Sequence, residues 1–226
     1  MMDRRARARE LATEYIAKGD PFGWFEALYR EGEAGKSIIP WADARPNPLL
    51  VEFWEAHGFD TTGKRALVIA GGLGDDAEQL AQWGFDTLCF DISPTAIEMA
   101  KRRFPETRVE YTVADLFQPP REWLGSFDFV FETNTLQALP AELRESAAKK
   151  IAQFPNSGGL VLVAARGREE NEPEGDLPWP LTRNEMDGFV RAGLRVESFD
   201  DFAEPEPPWV RRFRALYRKP EGHRSH

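Results

Sequence analysis

Val68-Ile69-Ala70-Gly71-Gly72-Leu73-Gly74-Asp75-Asp76 constrains this chain most: an apolar run enters a glycine-rich turn and leaves it as a helix pattern. A second apolar run, Thr87 to Phe90, then ends in Asp91. Glycines at such a turn let a ligand approach the backbone, and an acid closing the next strand can hold a ribose diol. This is the layout of a βαβ nucleotide site.

The rest of the chain continues the alternation. Strands are expected at 64–70, 87–91, 108–113, 127–131 and 160–165, with helices at 3–18, 49–57, 75–83, 94–104, 140–154 and 182–192. Asn156-Ser157-Gly158-Gly159 reads as a turn, and Thr182-Arg183-Asn184-Glu185 as a capping box. Two late strands, 195–202 and 209–218, flank the Pro-rich 204–208 with no helix between them, so they should pair as an antiparallel hairpin. The fold class is therefore α/β: a Rossmann-like, doubly wound, mostly parallel seven-stranded sheet with helices on both faces. One domain is expected over 1–226, with an aromatic cover segment at 1–60, a core at 61–219 and a disordered tail at 220–226.

Charge narrows the ligand. A net charge of −9 argues against a nucleic-acid partner, which needs a basic face. The Arg-rich start (Arg4, Arg5, Arg7, Arg9) reads as a solvated helix face. Cys89, the only cysteine, lies in an apolar run as a core thiol, and His57, His223 and His226 are too scattered for a metal set. No stretch approaches the about 18 apolar residues of a membrane span, and no signal peptide is visible, so a cytoplasmic protein is expected. Gly72-Leu73-Gly74-Asp75-Asp76-Ala77 matches the G-x-G-x-x-A dinucleotide form. Asp75 and Asp76 would nevertheless set two carboxylates against a pyrophosphate at the helix N-terminus. S-adenosylmethionine carries no phosphate and has a cationic amino group and a sulfonium, so acids suit it. Asp115-Leu116, after the third strand, could hold its adenine, although Asp115 also reads as a turn acid.

These residues resemble a class I S-adenosylmethionine-dependent methyltransferase, and more narrowly the thiopurine methyltransferase group with its thiol and halide methyltransferase relatives. The resemblance runs from about Trp24 to Tyr217. It is carried by Trp24-Phe25-Glu26-Ala27-Leu28-Tyr29-Arg30-Glu31-Gly32, Pro40-Trp41-Ala42-Asp43-Ala44-Arg45-Pro46-Asn47-Pro48, the Gly loop and Phe90-Asp91-Ile92-Ser93. It implies that Trp41, with Phe25 and Tyr29, covers the cofactor and the acceptor beside it. It also implies that Gly71, Gly72 and Gly74 lie against the methionine part, Asp91 and Ile92 at the ribose, Asp115 and Leu116 at the adenine. Glu132 would sit between cofactor and acceptor. Val68 stands where such enzymes usually carry an acid, and Ala70-Gly71 where Gly-Cys or Leu-Cys is usual. The cofactor amino group is then left to main-chain carbonyls or Asp76.

The acceptor side is less determined. Glu132 could orient the acceptor or act as a base, or simply bond nearby backbone. Gln137 could face the pocket or only start a helix. Arg166 and Arg168 could bind an acidic acceptor or stabilise a thiolate, or pair with Glu169, Glu170 and Glu172. Trp179, between prolines, is expected on a lid. Glu132-Thr133-Asn134-Thr135 departs from the Asn/Asp-Pro-Pro-aromatic pattern of amine-modifying relatives. The reading is methylation of a small molecule, on sulfur or a similarly soft nucleophile, by a monomer or homodimer. O-, N- or C-methylation, a nicotinamide oxidoreductase and a non-catalytic cofactor-binding module are the alternatives.

Overall fold

A computed structural model describes residues 3–204 and 209–222. Its helices are α1 (Ala6–Ala17), α2 (Gly23–Glu33), α3 (Pro48–His57), α4 (Asp75–Gln82), α5 (Pro94–Arg103), α6 (Ala141–Ile151), α7 (Arg183–Met186) and α8 (Gly188–Arg191). Its strands are β1 (Arg65–Val68), β2 (Asp86–Asp91), β3 (Glu110–Val113), β4 (Phe127–Thr133), β5 (Pro155–Arg166), β6 (Arg195–Ala203) and β7 (Arg211–Arg218). The seven strands form one sheet in the order β3-β2-β1-β4-β5-β7-β6. The first five are parallel, and β7 runs antiparallel to both β5 and β6. The winding reverses between β1 and β4. A crevice opens there beyond the carboxyl ends of the strands, as doubly wound folds require.

Alternation along each strand divides the core. Leu67, Phe90, Val130, Val161 and Val163 face one side with α6 and α8. Ala66, Val68, Cys89, Phe129, Phe131 and Leu162 face the other with α3 to α5. Ser93 caps α5 and Asn47 caps α3, each followed by a proline whose fixed φ suits the first helical turn. Ahead of the sheet, α1 and α2 pack through Ala8, Leu11, Ala12, Trp24 and Leu28, against which Leu177 also closes. Arg7 of α1 is not simply solvated: it bonds Glu31 of α2. No helix among the described residues is long and apolar enough to cross a membrane.

Three local expectations change. Residues 156–159 are not a free turn. They are an irregular bulge inside β5, where Gly158 takes φ +82° and pairs through its N–H with Lys219. The helix expected over 182–192 breaks at Asp187 into α7 and α8. The last strand begins at Arg211 rather than Trp209. The segment 205–208 and residues 223–226, with His223 and His226, lie outside the described residues.

Ala70, in the turn two residues past β1, has φ +47°, a left-handed conformation that costs an L-residue roughly 1–2 kcal/mol. Ala70→Gly relieves that cost, less the greater chain entropy of glycine. Thermal denaturation should show a gain of about 1 kcal/mol. A lower melting temperature would mean that the Ala70 methyl packs better than its backbone is strained.

Candidate active site

The Gly loop is shaped by its hydrogen bonds. Gly71 N–H donates to Phe90 O at 3.0 Å, Gly74 N–H to Gly71 O at 3.0 Å, and Gly72 N–H to Asp91 Oδ2 at 3.0 Å. Gly72 has φ +55°, and a Cβ there would lie 2.7 Å from the Tyr29 hydroxyl and 3.5 Å from Trp41 Nε1. The two aromatic residues therefore sit directly over the loop. Trp41 Nε1 donates to Tyr29 Oη at 2.7 Å, and their rings meet edge to face. Gly74, at φ +89°, caps α4 and packs against Tyr111. It supports the loop from behind the cavity.

Asp91 is buried at the end of β2, with Oδ2 on Gly72 N and Oδ1 accepting from Ser93 N at 2.9 Å. Burial pushes its pKa up to about 6, against backbone N–H groups that favour the charged form. Ser93 Oγ donates to Glu26 of α2 at 2.6 Å, and Thr95 Oγ1 donates to the same carboxylate at 2.8 Å. The cover is thereby tied to the acid that closes β2.

The two acids of the Gly loop differ in role. Arg103 grips Asp75 through two bonds of 2.9 and 2.7 Å, so its charge is largely offset. Asp76 is buried, accepts from Asn47 N at 2.6 Å, and has its pKa raised to about 6 by burial. Asn47 also donates from Nδ2 to Thr133 Oγ1 at 3.0 Å and joins the cover to β4. Sequence reasoning quoted Asn47 and Thr133 within motifs but gave neither a role in the site. The Asn-Pro start of α3 was their one visible signal.

A cavity of about 590 Å³ lies among these groups. Phe25, Tyr29, Trp41, Gly71, Gly72, Asp76, Asp91, Ile92, Asp115 and Leu116 line it, all named from the sequence. Asp115 also accepts from Phe117 N at 2.8 Å, so its turn role and its exposure to the cavity coexist. Phe22, Ala138, Leu139, Leu177 and Pro178 add an apolar wall.

Five sequence candidates stand behind that wall. Glu132 is buried with Oε1 accepting from Thr135 N at 2.8 Å and Leu136 N at 3.1 Å. Oε2 has no partner among the described residues, and burial raises the pKa to about 7. Its successors Thr133, Asn134 and Thr135 reach the cavity instead. Gln137 accepts from Arg166 N at 2.9 Å and donates to Trp179 O at 3.2 Å. Arg166 donates to Pro178 O, and Arg168 to Pro180 O and Glu172 O. Trp179 lies under the Arg144 guanidinium, 5.5 Å away. Together these side chains fix the loop that presents Leu177 and Pro178. The expected lid residue is thus displaced by two positions, because backbone carbonyls of the proline segment recruit the arginines.

A buried acid at the β2 end, a glycine cradle under aromatic rings and an apolar slot past Ile92 and Leu116 fit an adenosyl ligand with a short cationic arm. The profile of the family described as thiopurine S-methyltransferase matches residues 33–212. The chain belongs to the thiopurine S-methyltransferase family. It is 27% identical over 219 residues to the 2-heptyl-1-hydroxyquinolin-4(1H)-one methyltransferase of Mycobacteroides abscessus, covering 82% of this chain and 91% of that one. The thiopurine S-methyltransferase of Psychrobacter cryohalolentis is 22% identical over 179 residues, 68% of this chain and 79% of that one. Among solved structures, one described as the conversion of a disulfide bond into a thioacetal group during echinomycin biosynthesis superposes with a TM-score of 0.71. It is 20% identical and covers 89% of this chain and 92% of that one. A TehB-like S-adenosylmethionine-dependent methyltransferase from Corynebacterium glutamicum gives 0.58 at 19% identity, covering 87% and 96%. As a member of the thiopurine S-methyltransferase family, the chain is an S-adenosylmethionine-dependent methyltransferase.

Two predictions follow from the titrating groups. Asp91→Ala should weaken S-adenosylhomocysteine binding by about 1.5–3 kcal/mol if the carboxylate holds the ribose. In the unaltered protein, affinity should rise as pH passes about 6, where Asp91 ionises. Calorimetry that finds the same affinity in the variant would put the ribose elsewhere. Asp76, Asp91 and Glu132 all have raised pKa values, so the fold binds protons that the unfolded chain releases near pH 4. Their stabilisation is full below the unfolded values and is lost as pH rises through about 6 to 7. Glu132→Gln should therefore flatten the fall in melting temperature between those limits, and an unchanged slope would exclude Glu132 as its source.

Proposed function

We propose that this enzyme methylates the sulfur of a small thiol, and that the residues lining the cavity hold both reactants. S-adenosylmethionine supplies an electrophilic methyl group on a sulfonium. In this reading Asp91 holds the ribose diol, Ile92 and Leu116 flank the adenine, and Gly71 and Gly72 admit the amino-acid arm. With Val68 in place of an acid, main-chain carbonyls of the loop and Asp76 take its ammonium. Tyr29 and Trp41 close the loop from above. The acceptor then occupies the wall of Phe22, Phe25, Leu139, Leu177 and Pro178, where water is excluded and the nucleophile is held in line.

The observation that carries the choice of sulfur is the position of Glu132. Its carboxyl is turned into the β4 end, with one oxygen on two backbone N–H groups and neither oxygen lining the cavity. Among the described residues, no histidine lines the cavity either. The carboxylates that line the cavity are assigned to the cofactor (Asp76, Asp91, Asp115) or paired with arginines (Asp43, Asp75, Glu52, Glu204), and a site that leaves no free base for the acceptor among the described residues favours one that ionises unaided near neutral pH. A thiol does so far more readily than an alcohol or a phenol. A second reading, O-methylation of a hydroxylated heteroaromatic, draws on the hydroxyquinolone named for the Mycobacteroides relative and on the aromatic character of the wall.

A panel of aryl thiols, matched phenols and hydroxyquinolones, followed by S-adenosylhomocysteine release, separates the two readings. Thiols should react at least about tenfold faster than matched phenols at neutral pH, with a pH profile that follows the thiol itself. Glu132→Gln should keep most of that rate. Faster turnover of the oxygen acceptors, or a Gln variant that binds cofactor but does not react, would replace the thiol reading with base-assisted O-methylation.

A further inference from the structure

At the end of the cavity remote from the Gly loop, positive charge accumulates in a chain that is otherwise strongly acidic. Arg166 and Arg212 are directly paired across β5 and β7, so both side chains leave the same face of the sheet. Like charges opposite one another in a sheet are destabilising. Arg5, at the start of α1, lines the cavity together with Arg212. Arg9 follows one turn later. Burial, followed by the proximity of Arg5, Arg212 and Arg9, disfavours the charged form of Arg166, with Glu204 acting in the opposite direction.

The carboxylates among the described residues do not balance this cluster. Glu204 pairs with Arg212, and Arg9 is shared by Asp3 and Asp176. Neither Arg5 nor Arg166 has an ion pair among the described residues, and Arg166 makes one bond from its guanidinium, to Pro178 O at 3.2 Å. Pro178 itself lines the cavity, so Arg166 sits immediately behind the proposed acceptor wall. The cofactor groups proposed above lie at the ends of β1, β2 and β3, with β4 between them and this cluster. The cluster therefore lies across the cavity from the groups assigned to the methyl donor.

The geometry points to an anion subsite for the acceptor: a carboxylate, or a similar anionic group, carried on an apolar body and held by Arg5 and Arg212, which line the cavity, with Arg166 adding positive charge from behind Pro178, while the nucleophile faces the cofactor. Three guanidiniums beside an apolar wall reward one negative charge at one end of the ligand. The charge also relieves the repulsion between the paired arginines. A neutral acceptor of the same shape leaves that repulsion in place. This assignment rests on the reading that the acceptor fills the wall of Phe22, Phe25 and Leu177, but it does not depend on which atom is methylated.

The test is an equilibrium measurement on the S-adenosylhomocysteine complex, with 4-(methylthio)benzoate and its methyl ester as probes. The acid should bind at least about tenfold more tightly than the ester, and added salt should narrow the gap. Arg212→Gln and Arg5→Gln should each remove most of the gap by weakening the acid and not the ester. Using both variants guards against one that fails to fold. Equal binding of acid and ester, no binding of either, or variants that weaken both probes alike would overturn the subsite. Turnover of 4-mercaptobenzoate is scored separately: a probe that binds as expected beside a thiol that is not methylated leaves the subsite standing and removes the S-methylation reading.

Discussion

The buried Asp91 carboxylate is the interaction on which the rest of the site depends. One oxygen holds the Gly loop through Gly72 N, and the other holds the turn into α5 through Ser93 N. Ser93 in turn caps α5 and reaches Glu26, so the cover is locked to the same point. An acid stripped of water costs free energy even with backbone donors, which is why its pKa rises to about 6. Further donors from a ligand would relieve that cost.

The cavity is a half-open crevice walled by two separate segments. From the N-terminal side come Phe22, Phe25, Tyr29 and Trp41; from the loop after β5 come Leu177 and Pro178. The loop is held by Arg9, Gln137, Arg166 and Arg168 acting on its backbone carbonyls. Arg144, itself buried, adds ion pairs to Glu174 and Glu185 and lies over Trp179. Charged side chains here serve to fix an apolar wall, which is what a displacement reaction sheltered from water requires.

What could be read from the sequence followed from how local its cause was. The β1 turn, Asp91 and the strand alternation were legible because glycine conformational freedom and apolar periodicity act within a few residues. The bulge at 156–159 was not, since a Gly-rich bulge and a Gly-rich turn have the same composition and only pairing with Lys219 distinguishes them. Arg166, Arg168 and Trp179 were expected at the cavity because they follow a strand end. Their direction is set by carbonyls of a proline segment, which leaves no mark in spacing. Asp75 looked like a free acid at a helix start until α5 brought Arg103 to it. The linking role of Asn47 was not legible because its bonds to Asp76 and Thr133 span distant parts of the chain.

The central claim is that the Asp91 hub organises the methyl-donor site. A crystal structure of the protein with S-adenosylhomocysteine tests it most directly. The account predicts both ribose hydroxyls on the Asp91 carboxylate, adenine between Ile92 and Leu116, and the ligand sulfur facing the wall of Phe25 and Leu177. A ribose bonded to another side chain, with Asp91 still serving only Gly72 and Ser93, would contradict it.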